Sequence, residues 1–177
     1  MKKTESHKSG ADIRRLALLA MLLGVSAALS ALESMFPPIP LAPPGMRLGL
    51  ANAATMYALF FVGKKQAFAL AAMKSVFVLL ARGPVAAMLS AAGGMLSLAA
   101  IIAASGVSKK LSYVALSSVG AVAHNFGQLA AASLLLGHNF VALHWPLVLL
   151  FGTALGAVTG AALEAALVFL GGRRFGK

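Results

Sequence analysis

Val85-Ala86-Ala87-Met88-Leu89-Ser90-Ala91-Ala92-Gly93-Gly94-Met95-Leu96-Ser97-Leu98-Ala99-Ala100-Ile101-Ile102-Ala103-Ala104 runs for twenty residues without a charged side chain. A bilayer core of about 30 Å is crossed by roughly 20 helical residues. The run is rich in Ala and Leu and lacks period-two alternation, so it reads as a helix and not a strand. Arg82-Gly83-Pro84 precedes it and Lys109-Lys110 follows it. One membrane span with basic punctuation is therefore the unit from which the rest is read.

Five further apolar segments flank it. They run from about Leu16 to Met35 after Arg14-Arg15, from Leu48 to Val62 before Gly63-Lys64-Lys65, and from Gln66 to Ala81. The last two run from Tyr113 to Leu136 and from Trp145 to Leu170, before Gly171-Gly172-Arg173-Arg174. The second and third are short for a span, and Lys64-Lys65 between them reads as a true loop. The expected architecture is all-α: a polytopic six-helix membrane bundle with both ends in the cytoplasm. Its helices fall at about 14–35, 48–63, 66–82, 84–105, 112–137 and 144–171. Residues 1–13 form a disordered basic cytoplasmic tail, and 14–177 one membrane domain.

Composition agrees with a bilayer as solvent. Of 177 residues 60% are hydrophobic and 11% charged, against about a quarter charged in soluble domains. Mean hydropathy is +0.89. The net charge is +11, from 15 Lys and Arg against 4 Asp and Glu. These cations sit in short clusters between apolar runs, which is positive-inside patterning and not a nucleic-acid surface. With the N-terminus inside, Lys2, Lys3, Lys8, Arg14, Arg15, Lys64, Lys65, Lys109, Lys110, Arg173, Arg174 and Lys177 all fall on one side. Only Arg47, Lys74 and Arg82 remain. The expected location is the bacterial inner membrane. A cleaved signal peptide over Lys2 to Ala31 is the rival for the first segment. Its apolar run is too long for that, and its loss would break the charge alternation. There is no cysteine, which excludes disulfides and thiolate chemistry.

Function is sought at polar groups that do not belong in lipid. Glu33, Lys74, His124, Asn125, Gln128 and Glu164 lie in or near apolar segments, with Arg47 and Arg82 at helix ends. Lys74 has two open readings, an ion pair with Glu164 or a place on a substrate cavity. Glu33 and Arg82 are a second possible pair. His124 and Gln128 are four apart and share a helical face with Asn125 beside them. They read either as interhelical glue or as ligand contacts. No His or carboxylate cluster has metal spacing. His138 and His144 read as residues of a solvated outer loop. Pro37-Pro38-Ile39-Pro40-Leu41-Ala42-Pro43-Pro44 predicts a stiff lid or rim, or a plain connector. Small residues recur at Ser90 to Ser97, at Ala20, Gly24, Ala28 and Leu32, and at Gly152, Gly156 and Gly160. Such stripes let helices approach closely.

Three ordered blocks carry a family resemblance. Pro44-Gly45-Met46-Arg47-Leu48-Gly49-Leu50-Ala51-Asn52 is similar to the signature PGxKLGLAN of the Gx transporter family, also labelled heptaprenyl diphosphate synthase component I. Arg47 stands for the common Lys and keeps its charge. The runs Ser90 to Ser97 and Gly120 to Gln128 match further blocks of that family. Its size and helix plan resemble the substrate-binding S components of energy-coupling factor transporters. That resemblance implies capture of a small molecule from outside, beside a transmembrane coupling subunit and ATPases. It also implies docking through small residues of helix one, here Ala20, Gly24 and Ala28. No Walker motif is present, so ATP hydrolysis would belong to partners.

Three functions are weighed. The first is a transporter subunit that binds a small anionic solute through Arg47, Asn52, Lys74, Arg82, His124, Asn125 and Gln128, with no cofactor. The second is a membrane accessory component of heptaprenyl diphosphate synthesis. Synthases of that kind hold Mg²⁺ on Asp-rich motifs, and hard cations need clustered oxygens. Asp12 is the only Asp here, so catalysis would fall to a partner. The third is a structural assembly factor.

Overall fold

The computed structural model describes residues 2–35, 49–108, 110–137 and 140–169, and all of its regular structure is helical. Helix α1 spans Lys2–Met35 and α2 Ala51–Tyr57, which winds on as a π-helical turn, Ala58–Val62. Helix α3 spans Lys64–Arg82, α4 Pro84–Val107, α5 Tyr113–Leu136 and α6 Phe140–Phe169. The Pro-rich segment and Arg47 lie outside the described residues.

Two boundaries differ from the sequence reading. Helix α1 begins at Lys2 and not near residue 14. Lys, Glu and Ala are good helix formers, and a helix already nucleated at residue 13 extends into them without a new nucleus. Helix α6 begins at Phe140, so His144 sits half-buried on the helix and not in a loop.

Four helical stretches are long and apolar enough to cross a membrane: Ile13–Glu33, Pro84–Val107, Tyr113–Leu136 and Val141–Phe169. The protein is a helical membrane protein. The other two elements are marginal by the same measure. Ala51–Val62 is about 18 Å long at 1.5 Å per residue, short of the hydrocarbon thickness. Helix α3 carries Lys64, Lys65, Lys74 and Arg82.

Helices α4, α5 and α6 pack as neighbours through small residues. A Cβ at Gly156 would lie 2.6 Å from the Ser118 Cα, and one at Gly160 would lie 2.6 Å from the Val114 Cα. Gly127 meets the Ala92 carbonyl in the same way, at 2.9 Å. These helices touch backbone to backbone, which only Gly permits. Between α3 and α4 the chain turns at Gly83, with φ +87°, and Pro84 then opens α4 at its first position. There the missing N–H costs nothing.

The apolar core includes Met56, Leu70, Leu98, Ile101, Tyr113, Leu116, Leu163 and Leu167. It lies toward the end of the bundle where Lys64, Lys65 and Lys110 stand. Phe60 meets Tyr113 edge-on at 5.3 Å, which ties the end of α2 to the start of α5. Helix α1 is pinned to α2 by the fully buried Ser26, whose hydroxyl donates to the Ala51 carbonyl at 3.2 Å. Above the core, away from that basic end, the helices part.

Candidate functional site

The space where they part is a cavity of about 300 Å³. Helix α1 contributes Ser30 and Glu33, and the start of α2 contributes Asn52. Helix α3 adds Lys74, Phe77 and Arg82, α4 adds Ser90, and α5 adds His124, Asn125 and Gln128. Of the seven residues singled out from sequence, six line this one space. The seventh, Arg47, lies outside the described residues.

The reason they converge is local. Asn125 is buried and lies beside His124 and Gln128, which are a helical turn apart on α5. Gly93 faces them from α4. A Cβ there would stand 2.8 Å from the His124 carbonyl, 2.9 Å from the His124 ring and 2.9 Å from Gln128 Cγ. A bare backbone at residue 93 therefore makes room for both side chains. The His124 Nδ1 is buried and has no hydrogen-bond partner among the described residues. Across the cavity, Lys74 Nζ donates to Asn52 Oδ1 at 3.0 Å. This fixes the ammonium and turns the Asn52 amide so that its nitrogen is left to donate.

Of the two open readings for Lys74, the structure favours the cavity, which Lys74 lines and Glu164 does not. Lys74 is engaged by Asn52, and Glu164 lies off the cavity, within electrostatic reach of Tyr113. Tyr113 packs on Phe60 near the Gly63 turn. Lys74 stands eleven residues further along α3, roughly 16 Å away along its axis. Glu33 is buried, lines the cavity and accepts the Leu50 backbone N–H. It is a site residue that the sequence offers only as a possible partner of Arg82. No spacing within α1 signals this role, because it depends on Leu50 being brought to Glu33.

The small-residue stripe of α1 lies elsewhere. Ala20, Gly24 and Ala28 are all exposed, and a Cβ at Gly24 would meet nothing within 4 Å. The look-alike stripe of α6, Gly152, Gly156 and Gly160, is consumed inside the protein against α5.

Chemically, the cavity offers two cations, Lys74 and Arg82, against one carboxylate, Glu33, among the described residues. Amide, imidazole and hydroxyl groups surround them. No group of three His, Cys, Asp or Glu that could hold a metal ion occurs among the described residues. The arrangement can bind and orient an anion with a polar body. Among the described residues that line it, Glu33 is the one carboxylate, too few for the oxygen cluster of a metal–diphosphate site.

A family model described as heptaprenyl diphosphate synthase component I matches residues 22–166. The chain belongs to that family. No curated protein and no solved structure matches the chain.

Proposed function

From that family membership and the cavity, we propose that the chain is a membrane-embedded binding subunit of a transporter for a small anionic solute. The observation that carries the proposal is convergence. Polar side chains from α1, α2, α3, α4 and α5 meet around one space with an excess of positive charge. Polar groups in a bilayer are costly unless they are satisfied. A cavity of this size with a few convergent polar groups is typical of small-ligand sites. On this reading the protein lies in the bacterial inner membrane and crosses it six times, with both ends inside. Arg47 adds a third cation to the site. Energy comes from a transmembrane coupling subunit and ATPases that dock on Ala20, Gly24 and Ala28.

The family description favours a second reading, a membrane accessory component of heptaprenyl diphosphate synthesis. The chain would then present a prenyl diphosphate to a catalytic partner. The same cations would meet the diphosphate, and the missing acidic clusters would be supplied by that partner.

Thermal unfolding of the purified chain against anionic vitamins, quinone precursors and prenyl diphosphates separates the readings. A ligand at 100 times its Kd adds about 2.7 kcal/mol. A shift with a water-soluble anion, lost in Arg82→Ala while folding is kept, supports the transporter subunit. A shift confined to prenyl diphosphates supports the accessory component. A stable chain that answers no compound would overturn both.

A further inference from the structure

Two turns that are far apart in sequence meet at the basic end of the bundle. One is Gly63-Lys64-Lys65, between the π-helical turn and α3. The other leads into α5 and carries Lys110. Phe60 and Phe61 lie against Tyr113, with ring centroids 5.3 and 6.4 Å apart, and bring the two turns together. Lys64 follows Phe61 by three residues, and Lys110 precedes Tyr113 by three. Three residues of chain reach at most about 10 Å, so both lysines are tethered close to the ring contact. Lys64, Lys65 and Lys110 are all exposed.

The depth of this contact follows from helix length. Tyr113 opens α5, which has 24 residues and is about 36 Å long at 1.5 Å per residue. That exceeds the hydrocarbon core of about 30 Å, so the start of α5 stands at headgroup level. Phe61, lying against Tyr113, puts the Lys64-Lys65 turn at the same level. Phe61 is 44% exposed, and Tyr57 stacks on it at 4.8 Å. Aromatic rings gather at this level because one side of the interface is apolar and the other wet.

Helix stability does not account for the lysines. Lys64 and Lys65 open α3, and cations are disfavoured at a helix N-terminus. The carboxylate within electrostatic reach of Tyr113 is the half-buried Glu164, one acid against three exposed cations. Clustered lysines at the membrane surface attract anionic lipids. A zwitterionic headgroup brings its own cation and gains less. We infer that this end of the bundle binds the headgroup of an anionic phospholipid. Its phosphate meets Lys64, Lys65 and Lys110, and its glycerol and first methylenes lie on Tyr57 and Phe61. An acidic protein would fit the lysines as well, but not a pair of rings at the edge of the hydrocarbon. The site is independent of the cavity, which opens away from the basic end.

The test uses tryptophan quenching by brominated lipids. The chain has one tryptophan, Trp145, which lies roughly 27 Å along α6 from the core residue Leu163. Trp145→Phe/Phe61→Trp moves the reporter to the proposed site. The full chain is reconstituted in phosphatidylcholine vesicles, and brominated phosphatidylglycerol or brominated phosphatidylcholine is titrated in. The Phe61→Trp reporter should prefer phosphatidylglycerol at least about fivefold, the share of one lysine near an anionic surface. Adding Lys64→Gln/Lys65→Gln/Lys110→Gln should bring the ratio to one. Trp145 in the parent should show no preference. A ratio of one at the unsubstituted reporter would overturn the site and leave the lysines to an acidic protein partner. A preference that survives loss of the three lysines, or an equal one at Trp145, would overturn it too. Should the reporter variant fail to fold, melting of the parent in micelles doped with either lipid decides. A higher melting temperature with phosphatidylglycerol supports the site, and equal melting sinks it. Neither result bears on solute binding in the cavity.

Discussion

Lys74 and Asn52 set the character of the cavity at the scale of single residues. Their 3.0 Å contact is a hydrogen bond to a charged group, and such bonds contribute about 1.5–3 kcal/mol. Asn52→Ala is expected to cost that much in chemical unfolding, because an ammonium at membrane depth loses a fixed acceptor. Asn52→Asp should restore the stability yet weaken anion binding at least tenfold, since the new carboxylate neutralises Lys74. Equal ligand affinity in Asn52→Asp and parent would show that Lys74 does not face the ligand. Gly93→Ala makes a second test. The added methyl needs the space of the His124 ring and Gln128 Cγ, so overpacking should cost about 1–3 kcal/mol and abolish ligand-induced stabilisation first. The residues of this site were largely legible in sequence because lipid makes polar groups conspicuous: Asn52, Lys74, His124 and Gln128 stand out against Ala and Leu. Glu33 was misread because its role depends on where the chain returns after residue 48. No spacing within α1 encodes that return.

Helical elements show where legibility ends. The stripes Ala20-Gly24-Ala28 and Gly152-Gly156-Gly160 have the same four-residue period, and the sequence does not distinguish them. Their environments are opposite. The α6 stripe is pressed against Ser118, Val122 and Val114 of α5, while the α1 stripe is exposed. A stripe reports that close approach is possible, and the partner is set by how the other helices fill space. Gly156→Leu is therefore expected to unfold or severely destabilise the chain, because a side chain cannot enter a 2.6 Å gap against backbone. Gly24→Leu should change thermal stability by no more than about 0.5 kcal/mol, as exposed substitutions do. It is also the discriminating variant for docking. If the α1 face seats a coupling subunit, Gly24→Leu will keep its fold and its ligand response while losing co-purification with that subunit. Unchanged co-purification would move the docking face elsewhere.

For the whole molecule the open quantity is the number of crossings, and it turns on one short stretch. Six crossings and four crossings with a re-entrant α2–α3 pair both return the C-terminus to the side of the N-terminus. Charge alternation over the ends is blind to the difference. The position that separates them is the Gly63-Lys64-Lys65 turn. Helix α2 with its π turn is too short to span alone, yet it starts at the cavity, where Glu33 takes the Leu50 N–H and Asn52 takes Lys74. It ends where Phe60 and Phe61 meet Tyr113, at 5.3 and 6.4 Å, beside the end of the bundle that carries Lys110. A half-span helix that begins inside the protein needs only half the thickness to reach the surface. The absence of cysteine makes the measurement clean, since any single introduced thiol is the only one. With an impermeant thiol reagent on intact cells, His138→Cys should react from outside, and Ser9→Cys and Ser108→Cys only after permeabilisation. Lys65→Cys should behave like Ser108→Cys. A Lys65→Cys thiol unreactive from both sides in a folded chain would instead bury the turn in the bilayer and reduce the count to four.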